Sequence, residues 1–303
     1  MEKIIEVKNL RKKYKNDVVV DSVSFELEKG TIMGLLGPNG AGKTTTLKMI
    51  TNLSSKDMGS IIINGVSLEK EPKQALSRVG AALDTPSFYN ELTAKENLFY
   101  IQQMHKNFDK NQINELIDFV GLTGQEEKKV KNYSLGMKQR LGLARAMIGN
   151  PELIILDEPA NGLDPQGMIQ LYNLIRTLSK ERKITFIVSS HLLHDMEELC
   201  TDVLILNNGK SVLQGKTIEL KSKSTDLVEI EVEETTKFEA LLAALQGVTM
   251  ESKYRKRYNI NIHSFSIDQL LRRIISQDIH INYVAVKEYS LLDLFLKITG
   301  GQK

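Results

Sequence analysis

The sequence predicts an α/β fold built on a largely parallel sheet, followed by a small α+β domain of ferredoxin-like type. Three observations carry that expectation. The short apolar strand Thr31–Leu36 runs straight into a glycine-rich loop and a helix. Two further apolar stretches of strand length, Leu153–Leu156 and Thr185–Val188, bracket a helical segment from about Pro165 to Ser179. Strands that alternate with helices form parallel sheets covered on both faces. Near Lys221–Ser224 the composition turns polar and a βαββαβ succession begins, the order of a ferredoxin-like unit. The expected domains are residues 1–220 and 221–303.

Each element follows from its local pattern. Ile4–Val7 and Val18–Leu27 alternate like strands, with Arg11–Lys15 between them as a basic turn. The helix after Thr31–Leu36 begins near Gly42 and carries Leu47, Met49 and Ile50. Ser60–Asn64 is a strand closed by an Asn64-Gly65 turn. From about residue 84 to 150 the pattern is mainly helical and defines a helical subdomain. There Thr93 and Glu96 have the spacing of a capping box ahead of Leu98, Ile101 and Met104. Asp109–Gln112 offers a second helix start, and Leu135–Ile148 is a third helix. In the tail, Leu227–Val232 alternates, Lys237–Leu245 is helical, and Val248–Lys253 pairs with Tyr258–Ser264 in a hairpin. The basic run Lys253–Tyr258 could bind lipid headgroups or nucleic acid, or be the solvated turn of that hairpin. Ile267–Ile275 is amphipathic, His280–Lys287 alternates, and Leu291–Ile298 is a last helix.

Composition narrows the classes. Hydrophobic residues make up 41%, enough for a sizeable core. Forty basic residues against 38 acidic ones leave a net charge of +2, which argues for no nucleic-acid partner. Cys200 is the one cysteine, which suits a reducing compartment. No apolar stretch is long enough to cross a bilayer and no signal-peptide pattern follows Met1. The expectation is a soluble, cytoplasmic chain whose membrane role, if any, runs through a partner.

The chemistry starts at Gly37, Pro38, Asn39, Gly40, Ala41, Gly42, Lys43, Thr44 and Thr45. This segment fits GxxxxGK[ST] and lies between a strand and a helix, the context the motif needs. Glycines let several backbone N–H groups turn toward one anion, and the helix N-terminus adds unpaired donors. Lys43 can reach β- and γ-phosphates, and the Thr44 hydroxyl can ligate Mg²⁺. A second segment, Leu153–Glu158, ends a buried strand with two carboxylates, at the end of a sheet where ligands bind. Asp157 could hold the Mg²⁺ hydration shell and Glu158 could polarise an attacking water. No Asn-Lys-x-Asp segment for reading guanine is present.

Between these segments Tyr133-Ser134-Leu135-Gly136-Met137-Lys138-Gln139-Arg140 opens an apolar helix. At this point the chain resembles the ATP-binding subunits of ABC transporters, whose signature commonly reads Leu-Ser-Gly-Gly-Gln. Ser134 and Gly136 keep the serine and second glycine; Tyr133, Leu135 and Met137 depart from the common form. Ser134 also suits a plain helix N-cap, and the two roles are compatible. The wording is similar to the branch associated with drug and antimicrobial-peptide export and self-resistance. Asp164, in Asn161–Asp164, resembles the D-loop that communicates across the dimer, and His191 resembles the switch histidine at the γ-phosphate. Tyr14 matches the aromatic that stacks on adenine, and Asp84 stands where the family has its Q-loop glutamine. The shorter, anionic Asp84 could meet Mg²⁺ through water.

The resemblance covers about residues 3–218 and implies a P-loop NTPase fold, an ABC ATPase domain with a mixed sheet and a helical subdomain. It further implies ATP and Mg²⁺ sandwiched between two such subunits, in a homodimer or heterodimer. One chain would supply the phosphate loop, Asp157, Glu158 and His191, the other Ser134, Leu135, Gly136 and Met137. Hydrolysis would drive an integral membrane permease, so the chain would sit peripherally on the cytoplasmic face of the membrane. Phe88, Tyr89, Leu92 and Tyr100 are the candidate docking surface for that permease, or else ordinary core of the helical segment. The rival readings are a non-transport ABC ATPase and an ATP-sensing regulatory module.

Overall fold

The computed structural model describes residues 2–83, 87–104, 110–222, 227–262, 266–287 and 290–299. It opens with a long hairpin of β1 (Lys3–Tyr14) and β2 (Asp17–Glu28). The basic run expected to be a turn is mostly strand: β1 continues through Tyr14, and only Lys15 and Asn16 turn, with Lys15 at φ 54. The strand continues past Leu10 with Lys12 pointing inward. This lysine is only 7% exposed, and its ammonium meets Ser55 Oγ at 3.1 Å and Asp57 at 3.8 Å. Equating positive charge with solvent exposure fails here, because a lysine can bury its stem when its head is paired.

After β2 come β3 (Ile32–Leu36), α1 (Lys43–Ile50), β4 (Met58–Ile63), β5 (Val66–Ser67), α2 (Pro72–Ala75) and β6 (Val79–Ala82). Asn64 and Gly65 make the turn between β4 and β5 with φ of 50 and 75. The helical segment holds α3 (Ala94–Gln102), α4 (Lys110–Phe119) and α5 (Leu135–Ala146). The capping box expected at α3 is present: Thr93 N–H donates to Glu96 Oε2 at 2.7 Å, and Glu96 N–H donates to Thr93 Oγ1 at 3.1 Å. Accepting from the Thr93 backbone holds the Glu96 carboxyl below its ordinary pKa. The first unit ends with β7 (Leu153–Leu156), α6 (Pro165–Arg182), β8 (Thr185–Ser190), α7 (Leu193–Leu199), β9 (Asp202–Asn207) and β10 (Lys210–Lys216).

Two sheets result. One is antiparallel, in the order β2-β1-β4-β5; the other runs β10-β9-β3-β8-β7-β6, with β9, β3, β8, β7 and β6 mutually parallel. Every residue of β3, β7 and β8 is buried, as in a sheet covered on both faces. One core joins the sheets: Ile5, Val7 and Val23 pack with Met33, Leu35, Leu153, Ile155, Ile187 and Leu204, together with Leu47 and Ile50 of α1. On the other side α5 lies against β6. The approach is close, since a Cβ on Gly80 would stand 1.9 Å from the Ala146 carbonyl oxygen at the end of α5.

The chain divides into two compact units, Met1–Gly215 and Lys216–Lys303. The second holds α8 (Thr217–Ser222), β11 (Leu227–Val232), α9 (Thr235–Ala244), β12 (Val248–Tyr254), β13 (Arg257–Ile262), α10 (Ile267–Ser276), β14 (Ile281–Lys287) and α11 (Leu291–Thr299). Its sheet is antiparallel in the order β12-β13-β11-β14, the order of a ferredoxin-like βαββαβ unit. Val228, Ile230 and Val232 alternate onto one face and pack with Phe238, Leu242, Leu270 and Ile274 of α9 and α10. Among the described residues, no helix is long and apolar enough to cross a membrane.

Candidate functional site

The carboxyl ends of three neighbouring parallel strands assemble the site. From β3 the chain enters the glycine loop with φ of 145 at Gly37, 81 at Gly40 and 98 at Gly42. Two of these glycines are obligatory for space as well as conformation. A Cβ at Gly37 would stand 2.2 Å from the Leu206 carbonyl oxygen, and one at Gly42 would stand 2.6 Å from that of Val19. Gly42 caps α1 without any side-chain hydrogen bond, so the first amides of the helix remain available as donors. Asn39–Thr45, Glu158, Asn161 and His191 line a cavity of about 400 Å³, a set of backbone donors that fits polyphosphate.

Lys43 is only 6% exposed, and its ammonium donates to the carbonyls of Gly37 at 2.7 Å and Pro38 at 3.2 Å. It also pairs with Glu158 Oε1 at 3.3 Å. The other Glu158 oxygen, Oε2, lies 2.8 Å from His191 Nδ1. One carboxylate thus stands between the loop lysine and the histidine that follows β8.

A residue that the motifs do not name holds this arrangement. Leu156 of β7 pairs with Val188 of β8, which sets Asp157 beside the buried Ser189. The Ser189 hydroxyl donates to Asp157 Oδ1 at 2.5 Å and accepts from the Glu158 N–H at 2.8 Å. Glu158 needs the anchor because its φ is 46, a left-handed conformation uncommon for a non-glycine residue. The sequence carries a signal for it: a serine that directly extends the otherwise apolar run Ile184–Val188. Ser189→Ala is expected to cost about 1–3 kcal/mol through the orphaned Glu158 amide, measured by denaturant unfolding, and to lower ATP turnover more than ATP affinity.

Thr44, Asp157 and Glu158 share a second cavity of about 420 Å³ with Leu135, Gln139, Asn161 and Gly162. A hydroxyl and a carboxylate are hard oxygen donors. They fit Mg²⁺, which takes one or two protein oxygens and completes its shell with phosphate and water. Asp84 lies outside the described residues.

The signature segment lines a further cavity, which shares Leu135 and Gly162 with the cavity of Thr44 and Asp157. Ser134 caps α5, accepting from the Met137 N–H at 3.3 Å, while Asp164 caps α6 by accepting from Gly167 N–H at 3.0 Å. Ser134, Leu135, Gly136 and Asp164 line a cavity of about 390 Å³ that has no lining residue in common with the phosphate-loop cavity. Met137 is half-buried. Tyr14 is 47% exposed and is not among the residues lining the phosphate-loop cavity; its hydroxyl lies 3.2 Å from Ser54 Oγ. Of the residues considered for docking, Tyr89 and Tyr100 are exposed with ring centroids 6.1 Å apart. Phe88 lies under the Arg145 guanidinium at 5.1 Å, and Leu92 is half-buried.

Comparison with known proteins agrees with this geometry. The sequence profile described as ABC transporter matches residues 20–161. The uncharacterized ABC transporter ATP-binding protein YhcH of Bacillus subtilis is 35% identical, over 100% of this chain and 98% of its own length. The bacitracin transport ATP-binding protein BcrA of Bacillus licheniformis is 36% identical, with 99% of each chain covered. A solved ATP-binding subunit of an ABC transporter matches with a TM-score of 0.64 and 29% identity, covering 73% of this chain and 92% of that one. With the glycine loop, the paired carboxylates and the signature helix all in place along a full-length match, the chain belongs to the ABC transporter family as an ATP-binding subunit.

Proposed function

We propose that this subunit hydrolyses ATP in a composite site formed with a second ABC ATPase subunit and delivers the resulting motion to a membrane permease. The observation that carries the hydrolytic reading is Glu158 suspended between Lys43 and His191 at the mouth of the phosphate loop. Before substrate arrives, Lys43 neutralises Glu158. As the β- and γ-phosphates enter, their oxygens take over the ammonium and the loop amides, and Glu158 is released to accept a proton from an attacking water. His191 keeps Glu158 in place on one side and faces the γ-phosphate position on the other. Ser189 fixes the Glu158 backbone throughout. Thr44 and Asp157 would hold Mg²⁺, which would supply charge neutralisation at the phosphate oxygens.

The separation of the signature cavity from the phosphate-loop cavity supports the composite arrangement. Ser134 and Gly136 offer a hydroxyl and helix N-terminal amides to a phosphate, yet they line none of their own chain's loop cavity. A second subunit facing this one, identical or paralogous, would present them across the interface, with Asp164 beside them. Tyr14 would stack on the adenine ring from its exposed position at the end of β1. The exposed Tyr89–Tyr100 pair, with Phe88 and Leu92, is the surface offered to the permease. In this reading the subunit sits on the cytoplasmic face of the membrane. The full-length similarity to a bacitracin transport protein supports export of an antimicrobial peptide, drug or lipid-like molecule.

The test is direct. Lys43→Ala should weaken binding of a fluorescent ATP analogue by at least about tenfold, because a buried cation that pairs with phosphate is removed. It should also abolish turnover. Equal binding by the variant and the parent chain would overturn the site.

A further inference from the structure

Helix α5 touches both cavities, and its first residue, Leu135, lines the two of them. Its cap Ser134 lines the signature cavity, and five residues later Gln139 lines the cavity that holds Thr44, Asp157 and Glu158. Gln139 is 9% exposed, and its side-chain amide has no hydrogen-bond partner among the described residues. The amide is not among the fully buried unsatisfied groups of the described residues, so its polar atoms are open to the cavity and free to bind a water there. Asp157 and Gln139 are the two buried residues of that lining; Thr44 and Glu158 are half-buried, and Asn161 is exposed. An amide is suited to this position because its oxygen can accept from a water while its nitrogen donates to a carboxylate.

We propose that Gln139 is a positioning residue for hydrolysis, ordering the water between Thr44, Asp157 and Glu158 of its own chain. The inference rests on the hydrolytic reading of Glu158. It gives α5 two duties: Ser134 serves the facing subunit's nucleotide, and Gln139 serves the nucleotide of its own subunit. A closure that docks Ser134 on the partner would thereby also set the water beside Glu158.

Gln139→Met in the full chain tests this, since methionine keeps the length and volume and removes both hydrogen-bonding groups. Turnover should fall by about tenfold or more with KM for ATP within about twofold, the pattern of a lost transition-state interaction. Thermal midpoint should stay within about 2 °C, as for a change of less than about 1 kcal/mol. Mn²⁺ titrated into the ADP-loaded chain and followed by electron paramagnetic resonance should bind about threefold or more weakly, since ordering of the water around the ion is lost. Wild-type turnover overturns the proposal, as does a loss of turnover that tracks a lowered thermal midpoint or leaves Mn²⁺ binding unchanged. If Glu158→Gln turns over normally, the hydrolytic reading itself fails. If Glu158→Gln is inactive and Gln139→Met is unimpaired, only the role of Gln139 fails.

Discussion

Glu158→Gln is expected to lower steady-state ATP turnover by about 100-fold or more, the range for removing a general base. The substitution changes little else. Glutamine has the same shape, its backbone keeps the Ser189 anchor, and His191 can still hydrogen-bond to the amide oxygen. What disappears is the charge that pairs with Lys43 at 3.3 Å. Lys43 then has no carboxylate to leave when phosphate arrives, so ATP affinity should be unchanged or higher. The paired measurement is turnover by phosphate release and affinity by analogue fluorescence. Turnover equal to that of the parent chain would remove Glu158 from the chemistry.

Ser134→Arg is expected to have an effect of similar size by a different route. Within one subunit the change is mild: Ser134 is exposed, and loss of its cap on the Met137 amide costs about 1 kcal/mol. The phosphate-loop cavity contains no residue of the signature segment, so ATP binding by a single subunit should stay within about twofold. A long cation in place of a hydroxyl donor blocks the facing subunit's approach. Turnover should therefore fall by about 100-fold or more, the scale for losing preorganised donors around a transferring group. Ser134→Ala removes the cap without the bulk and should retain more activity than Ser134→Arg. Normal hydrolysis by Ser134→Arg would show that each subunit works alone.

What can be read from the sequence follows the range of the physics involved. The glycine loop is local: Gly37, Gly42, Lys43 and Thr44 gather in a single turn, so their spacing is fixed and visible. Likewise β11 alternates visibly because Val228, Ile230 and Val232 share one covered face. The link from Ser189 to Asp157 and Glu158 spans more than thirty residues and exists only because β7 and β8 pair in one register. No local spacing encodes that. Strands β6, β9 and β10 carry no motif and escape a pattern reading, although Val203–Leu206 of β9 is fully buried. Arg11–Tyr14 resembles a turn because charge masks the inward-facing Lys12 of a strand whose register shifts at Lys12 and Lys13. Gln139 does not stand out in sequence because a glutamine inside a helix is ordinarily solvent-facing.

The close approach of Gly80 to Ala146 has a mechanical consequence. It pins the C-terminal end of α5 to the edge strand β6 of the parallel sheet, backbone against backbone, whereas the Ser134 end is exposed. The helix is therefore a lever with its fulcrum at the sheet. Its 12 residues span about 18 Å, so a tilt of about 10° swings the Ser134 end by about 3 Å, the length of one hydrogen bond. In the proposed composite site, small rotations of the helical segment would then decide whether the Ser134 hydroxyl reaches a facing phosphate or falls short of it. A bulkier residue at position 80 would shift the fulcrum and detune the stroke without touching either ATP or the permease.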